Sequence, residues 1–317
     1  MKYIESFREG EKVAGVYLCK SKSSAVTKNG KPDDSAVLQD KTGTVDAKIW
    51  DPNSLGIEDF DALDYIDVVA DVVVFNGVTQ LNVKRIRKVN EGEYDPGDYL
   101  PVSEKNIDEM FAELTQFIAT VKNKYLNQLL KSFFEDEEFA KRFKNSSAAK
   151  SVHHSFVGGL LEHTLSVTKF CDFYVRMYPM LNRDLLLTAA MLHDIAKVEE
   201  IASFPVNDYT DDGNLLGHIV MGSEMVGRAA DKIEGFPRQL KSQVQHCILS
   251  HHGKLEYGSP KKPALMEAVA LNYADDTDAK LETMREIYAG APMQESGRWL
   301  GFNRLFESNL RRTTVEE

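Results

Sequence analysis

The spacing of apolar residues changes character near residue 95. Upstream, apolar and polar positions alternate. Val45, Ala47 and Ile49 interleave with Asp46, Lys48 and Trp50, a period of two that buries one face of a strand and presents the other. Val13–Leu18, Ala36–Asp40 and Thr44–Trp50 are strand candidates, the last two flanking the turn Asp40-Lys41-Thr42-Gly43. The β-branched run Val68–Phe75 meets Val78–Val83 across Asn76-Gly77, a tight-hairpin dipeptide. A polar loop containing Lys28-Asn29-Gly30-Lys31 follows the first strand, and Asp51–Asp67 has room for a short helix. Tyr17 and Phe75 are expected in the core. Five short strands with a helix between the third and fourth predict a small Greek-key barrel.

The charged, turn-rich stretch Glu91–Asp98 marks a boundary. Beyond it Ile107, Met110, Phe111, Leu114, Phe117, Ile118 and Val121 recur at helical spacing, with Ser103 as the candidate N-cap. Helical segments continue to Tyr288, interrupted by Pro179, Pro205, Pro237 and Gly258-Ser259-Pro260. Phe111, Phe117, Phe133, Phe134, Phe139 and Phe143 are expected in the helical core. The predicted organisation is multidomain α and β. A small β-barrel spans residues 1–95, a helical linker region 96–150, an all-α bundle 151–290 and a C-terminal tail 291–317, for which Trp299, Arg304, Arg311 and Arg312 suggest no role.

Composition narrows the setting. No apolar stretch approaches the ~20 residues a membrane helix needs, and Met1–Ser6 lacks the apolar core of a signal peptide. Cys19, Cys171 and Cys247 are scattered and odd in number, which fits a reducing, cytoplasmic setting with no membrane partner. The net charge of −11 argues against a nucleic-acid coat protein with a broad basic footprint, and leaves room for a local groove.

All eight histidines fall between residues 153 and 252, none in the barrel region. Leu185–Ala190 reads as a buried helix with His193 and Asp194 at its polar end, in Leu192-His193-Asp194-Ile195-Ala196-Lys197. Imidazole and carboxylate are ligands for divalent metals. Adjacent helical residues point ~100° apart, so the pair can grip one metal from two sides, or Asp194 can bridge two. Lys197, four residues after His193 and on the same helical face, is a candidate for neutralising a phosphate oxygen. The remaining candidates are His163, His218, His251-His252 and Asp275, the last in Ala274-Asp275-Asp276-Thr277-Asp278-Ala279. The bland alternative is a hydrogen-bonded polar pair in a helical core, with His218 an ordinary surface residue.

This order, His … His-Asp … His … His-His … Asp, resembles the HD superfamily of metal-dependent phosphohydrolases. The resemblance implies His163, His193, Asp194 and Asp275 on one metal, with His218 and one of His251 or His252 joining Asp194 on a second. His251 is favoured over His252, though spacing does not decide it, and Asp275 over Asp276. His252, His153 and His154 are further candidates for metal or substrate contact, and Glu162 either supports a ligand or is merely solvated. Nitrogen and oxygen donors without cysteine point to manganese, magnesium, iron or cobalt. Two such cations lower the pKa of water towards ~7 and clamp a phosphoryl group.

Leu38–Trp50 resembles the second and third strands of an oligonucleotide/oligosaccharide-binding (OB) fold. An OB-like domain followed by an HD domain resembles the YhaM family of 3′–5′ exoribonucleases. His153–His163, the His-Asp-Ile-Ala-Lys stretch and Ser250-His251-His252-Gly253 share in that likeness. It implies removal of nucleoside 5′-monophosphates from single-stranded RNA, and in some members DNA, with manganese or cobalt. The candidate strand-binding residues are Lys48 and Trp50, with Lys20, Lys84 and Arg85, since barrel grooves hold phosphates with cations and bases with aromatics. Barrel-edge packing is as good an account of Trp50. The alternative activity is hydrolysis of small nucleotides or dinucleotides with the barrel regulatory, and self-association is left open.

Overall fold

The period-two segments close on themselves. β1 (Lys12–Val26), β2 (Pro32–Asp40), β3 (Gly43–Ile49), β4 (Tyr65–Phe75) and β5 (Val78–Lys88) form a closed barrel in the order β1-β2-β3-β5-β4. The computed structural model describes residues 2–26, 32–90, 92–150, 154–290 and 298–313. Barrel neighbours are antiparallel except β3 and β5, which run parallel. The topology is OB-like, and closure removes exposed sheet edges. The chain separates into two units, Met1–Val102 with Phe204–Asn207, and Ser103–Ser203 with Asp208–Glu317.

Alternation decides what lies inside the barrel. Val45, Ala47 and Ile49 of β3, and Ile66, Val68, Ala70 and Val72 of β4, are buried together with Tyr17, Leu38 and Leu81. Two β-bulges interrupt the ladder. Lys20 is the extra residue where β1 shifts register against β2, and Lys84 the extra residue where β5 shifts against β4.

Several sequence expectations change here. Asp51–Asp64 contains no helix. It is a series of turns with an isolated bridge from Ile57 to Ile86, because Pro52, Asn53, Ser54 and Gly56 favour turns. Phe75 is not core; it is exposed at the end of β4, where the Asn76-Gly77 hairpin leaves the barrel. The loop Lys28–Lys31 lies outside the described residues, as does Glu91 of the boundary stretch.

The second unit is helical through residue 290. Its helices are α1 (Ile107–Thr120), α2 (Lys124–Phe134), α3 (Glu137–Asn145), α4 (Gly159–Met177), α5 (Arg183–Leu192), α6 (Lys197–Glu200), α7 (Asp211–Leu215), α8 (Gly217–Asp231), α9 (Arg238–Ser250) and α10 (Met266–Gly290). The side chains of Asn106, Asn123, Asp136, Asn182 and Thr210 accept backbone N–H groups at helix starts. Asn106, not Ser103, caps α1; the Ser103 hydroxyl donates instead to the Glu162 carboxylate. α5 is buried from Leu185 to Leu192 and packs against α2, α4, α9 and α10. Phe133, Phe134 and Phe143 are buried in this core, with Phe111, Phe117 and Phe139 packed on it.

The tail adds an element that the helical reading did not anticipate. β6 (Trp299–Asn303) and β7 (Ser308–Arg311) form a two-stranded antiparallel sheet. Among the described residues, no helix is long and apolar enough to cross a membrane, and the three cysteines are buried free thiols.

Candidate metal centre

Burial on every side of α5 makes its C-terminal end a fixed point, and His193 and Asp194 follow directly from it. α4 contributes His163 from its second turn, α8 His218 from its start, the end of α9 His251 and His252, and α10 Asp275. The histidines come from four different elements, and all converge on Asp194.

His163 Nε2 lies 3.2 Å from His193 Nε2, 3.2 Å from Asp275 Oδ1 and 3.5 Å from Asp194 Oδ2. His193 Nε2 is 3.4 Å from the same Asp194 oxygen. The other oxygen, Asp194 Oδ1, faces His218 Nε2 at 3.4 Å and His251 Nε2 at 3.6 Å. His252 joins His218 and His251 in a second group of potential donors, its ring 4.3 Å from that of His251. Two donor clusters thus share one carboxylate.

The Nδ1 atoms settle which nitrogen is available. His193 Nδ1 donates to Ala190 O, His251 Nδ1 to Ile248 O and His252 Nδ1 to Tyr257 O, at 2.7 to 2.8 Å. His163 Nδ1 donates to Asp278 Oδ2 at 2.7 Å, and His218 Nδ1 to Glu200 Oε1 at 2.8 Å. With Nδ1 as the donor, each Nε2 points towards the centre, the orientation a metal requires. His218 Nε2, His251 Nε2 and Asp194 Oδ1 are buried with no hydrogen-bond partner. Buried acceptors orphaned in this way are costly unless a cation faces them. The donor set fits a divalent cation.

Electrostatics agree. Burial alone would raise the Asp194 pKa, but Lys197 and His193 hold it well below the usual carboxylate range. Burial would likewise lower that of Lys197, yet Asp194, 2.6 Å away, raises it. Burial, then the neighbouring His251, pushes His252 down to about 4, so it stays a neutral donor at physiological pH. His163 runs the other way. Burial opposes its charge, but Asp275 and Asp278 together raise it to about 10. A proton on its Nε2 therefore occupies the position between His163, His193 and Asp275 that a cation would take.

Sequence reasoning missed two supporting acids. Asp278 holds His163 and also accepts from His154 Nε2 at 3.0 Å. Its signal was its position three residues after Asp275, on the same face of α10. Glu200 holds His218 through both ring and backbone N–H, and nothing in the pattern pointed to it. Two glycines keep these supports close. A Cβ on Gly159 would come within 2.0 Å of His154 O, and one on Gly213 within 2.3 Å of Glu200 O.

Other candidates lie elsewhere. Asp276 pairs with Lys280 at the rim of the cleft, and buried Glu162 pairs with Lys105. Lys197 is not on a continuous helix with His193. α5 ends at Leu192, and the turn after it brings Lys197 onto Asp194. His153 lies outside the described residues. In the barrel unit, Lys48 Nζ donates to Ser35 Oγ and Trp50 is exposed one residue past β3. Lys20 is exposed at its bulge, Lys84 pairs with Asp71 and Arg85 with Asp67.

Comparison with known proteins agrees with the helical assignment. Residues 160–280 match the HD domain model. That segment carries an HD domain, which indicates a metal-dependent phosphohydrolase. A solution structure of the second OB-fold domain of replication protein A from Methanococcus maripaludis is 18% identical, with 29% of this chain and 98% of that chain covered and a TM-score of 0.22.

Two outcomes follow from the donor geometry. Asp278→Asn keeps size but weakens the anchor of His163, and should lower manganese affinity by roughly 10- to 100-fold in calorimetric titration; unchanged affinity would count against the anchoring role. Manganese binding at pH 7.5 should also release about one proton from His163, because its raised pKa keeps it protonated there until the cation arrives. Titrations in buffers of different ionisation enthalpy measure this, and zero release would contradict it.

Proposed function

We propose that the protein is a metal-dependent 3′–5′ exonuclease acting on single-stranded RNA, releasing nucleoside 5′-monophosphates. One observation carries the hydrolytic part: two donor clusters face the two oxygens of buried Asp194, and His163, His218, His252 and Asp275 from them line one cleft. One cation would be held by His163, His193, Asp194 and Asp275, and a second by Asp194 and His218 with His251 and His252. When bound, such cations activate water and neutralise a phosphoryl group.

The chain's own residues do the rest. Asp194 stands between the two donor groups, and Lys197 keeps that carboxylate ionised. Asp278 and Glu200 fix the rings of His163 and His218, so no reorientation is needed as charge develops. Lys197 also lines the cleft, within reach of a phosphoryl oxygen.

Action on a polymer is supported by the OB-like barrel in the same chain, because such barrels grip single strands. The exonuclease polarity and the preference for manganese rest on the resemblance to the YhaM family. Hydrolysis of small nucleotides is the competing reading, and the barrel counts against it.

With manganese, a 5′-labelled RNA should shorten stepwise from its 3′ end, and chelator should stop it. Asp194→Ala should abolish cleavage while RNA affinity is retained through the barrel. An untouched strand beside active hydrolysis of dinucleotides would favour the competing reading. Lys48→Ala with Trp50→Ala should raise KM for long RNA roughly 5-fold or more with kcat little changed, as loss of a stacking and phosphate contact requires. An unchanged KM would remove these residues from the strand path.

A further inference from the structure

The cleft above the candidate metal centre, about 450 Å³, falls in the range of sites for ligands of nucleotide size. Its floor is made by the donor groups. Its walls carry two aromatic side chains that the metal centre does not use, Tyr209 and Tyr257, 45% and 59% exposed. Ala148 and Ala149 also line it and leave space beside them.

Both tyrosines are tied through the backbone to groups that orient metal-facing histidines. The Tyr257 carbonyl accepts the Nδ1–H of His252, and the turn is closed by Tyr257 N–H donating to Lys254 O. Tyr209 bridges to Ile201, and the next residue, Thr210, donates its N–H to Glu200 O. Glu200 is the acid that holds His218. The backbone of each tyrosine is therefore tied to one side of the metal centre, although neither side chain contributes to it. The Lys254 ammonium lies 5.0 Å from the centre of the Tyr257 ring, and both rings keep about half of their surface open.

Charge limits what enters beside those rings. Among the described residues lining the cleft, Glu200, Asp275 and Asp276 are acidic, and the basic residue is Lys197, already paired with Asp194. Cations at the floor can balance one phosphoryl group. Among the described residues lining the cleft, no lysine or arginine besides Lys197 carries a positive charge for the second and third phosphates of a nucleoside triphosphate.

We propose that this cleft is a nucleoside subsite in which Tyr209 and Tyr257 stack on the base of a nucleotide whose single phosphoryl group faces the metal centre. This rests on the phosphodiesterase reading and specifies its substrate end: one nucleoside, held by its aromatic face. Recognition by stacking tolerates any base, because every base has a π-face.

The test compares AMP with ribose 5-phosphate by calorimetric titration of the manganese-loaded full chain. AMP should bind roughly 5- to 150-fold more tightly, the range stacking on an aromatic ring provides. Tyr209→Ala with Tyr257→Ala should bring that ratio towards one, while the corresponding Tyr→Phe pair should preserve it. Equal binding of the two probes to the unaltered protein, or a preference that survives removal of both rings, overturns the subsite. Hydrolysis of bis(p-nitrophenyl) phosphate by the unaltered protein separates the two levels. If it proceeds while AMP shows no advantage, the subsite alone fails. If it is absent and neither probe binds, the phosphodiesterase reading fails with it.

Discussion

A buried carboxylate is the constraint around which the second unit is organised. Asp194 is 2% exposed and ionised, and an isolated charge there would be untenable. Its oxygens face four imidazoles and one ammonium, drawn from separate helices and turns. Lys197 supplies one compensating charge. His163 adds a second when it is protonated, and the unpartnered Nε2 atoms of His218 and His251 leave room for a cation instead. Stability and chemistry thus depend on the same group.

Precision comes from the layer behind the donors. Each of the five imidazoles turned towards the centre is held at Nδ1 by a carbonyl or carboxylate. The carbonyls of Ala190 and Ile248 lie three residues before their histidines and cost the fold nothing extra, being free acceptors at helix ends. Asp278 and Glu200 are different, since they bring further negative charge into a buried region. That charge raises the demand for cations at the centre. Gly159 and Gly213 permit this layer by allowing backbone to approach where a side chain would collide.

Much was legible in the sequence. The alternation of Val45, Ala47 and Ile49 sufficed for a barrel strand, and the Asn106, Asn123 and Asn182 caps begin helices whose apolar spacing was already visible. His163, His193, Asp194, His218, His251 and Asp275 could be nominated from residue type and order, and the structure brings them together. What failed was local and weakly determined. Asp51–Asp64 has too many turn formers for a helix, Phe75 sits at a hairpin end where alternation no longer implies burial, and Ser103 lost the cap to Asn106 three residues on.

Order along the chain therefore determined the donor types, the barrel and the helical unit, because periodicity and ligand chemistry are properties of residue identity and spacing. Only the tertiary structure decided that His251 and His252 face the same side as His218, that Asp278 and Glu200 stand behind the donors, and that Lys197 grips Asp194. It also brought Tyr209 and Tyr257 to one cleft. These are contacts between segments tens of residues apart, and side-chain direction at a helix end depends on how the turn beyond it packs.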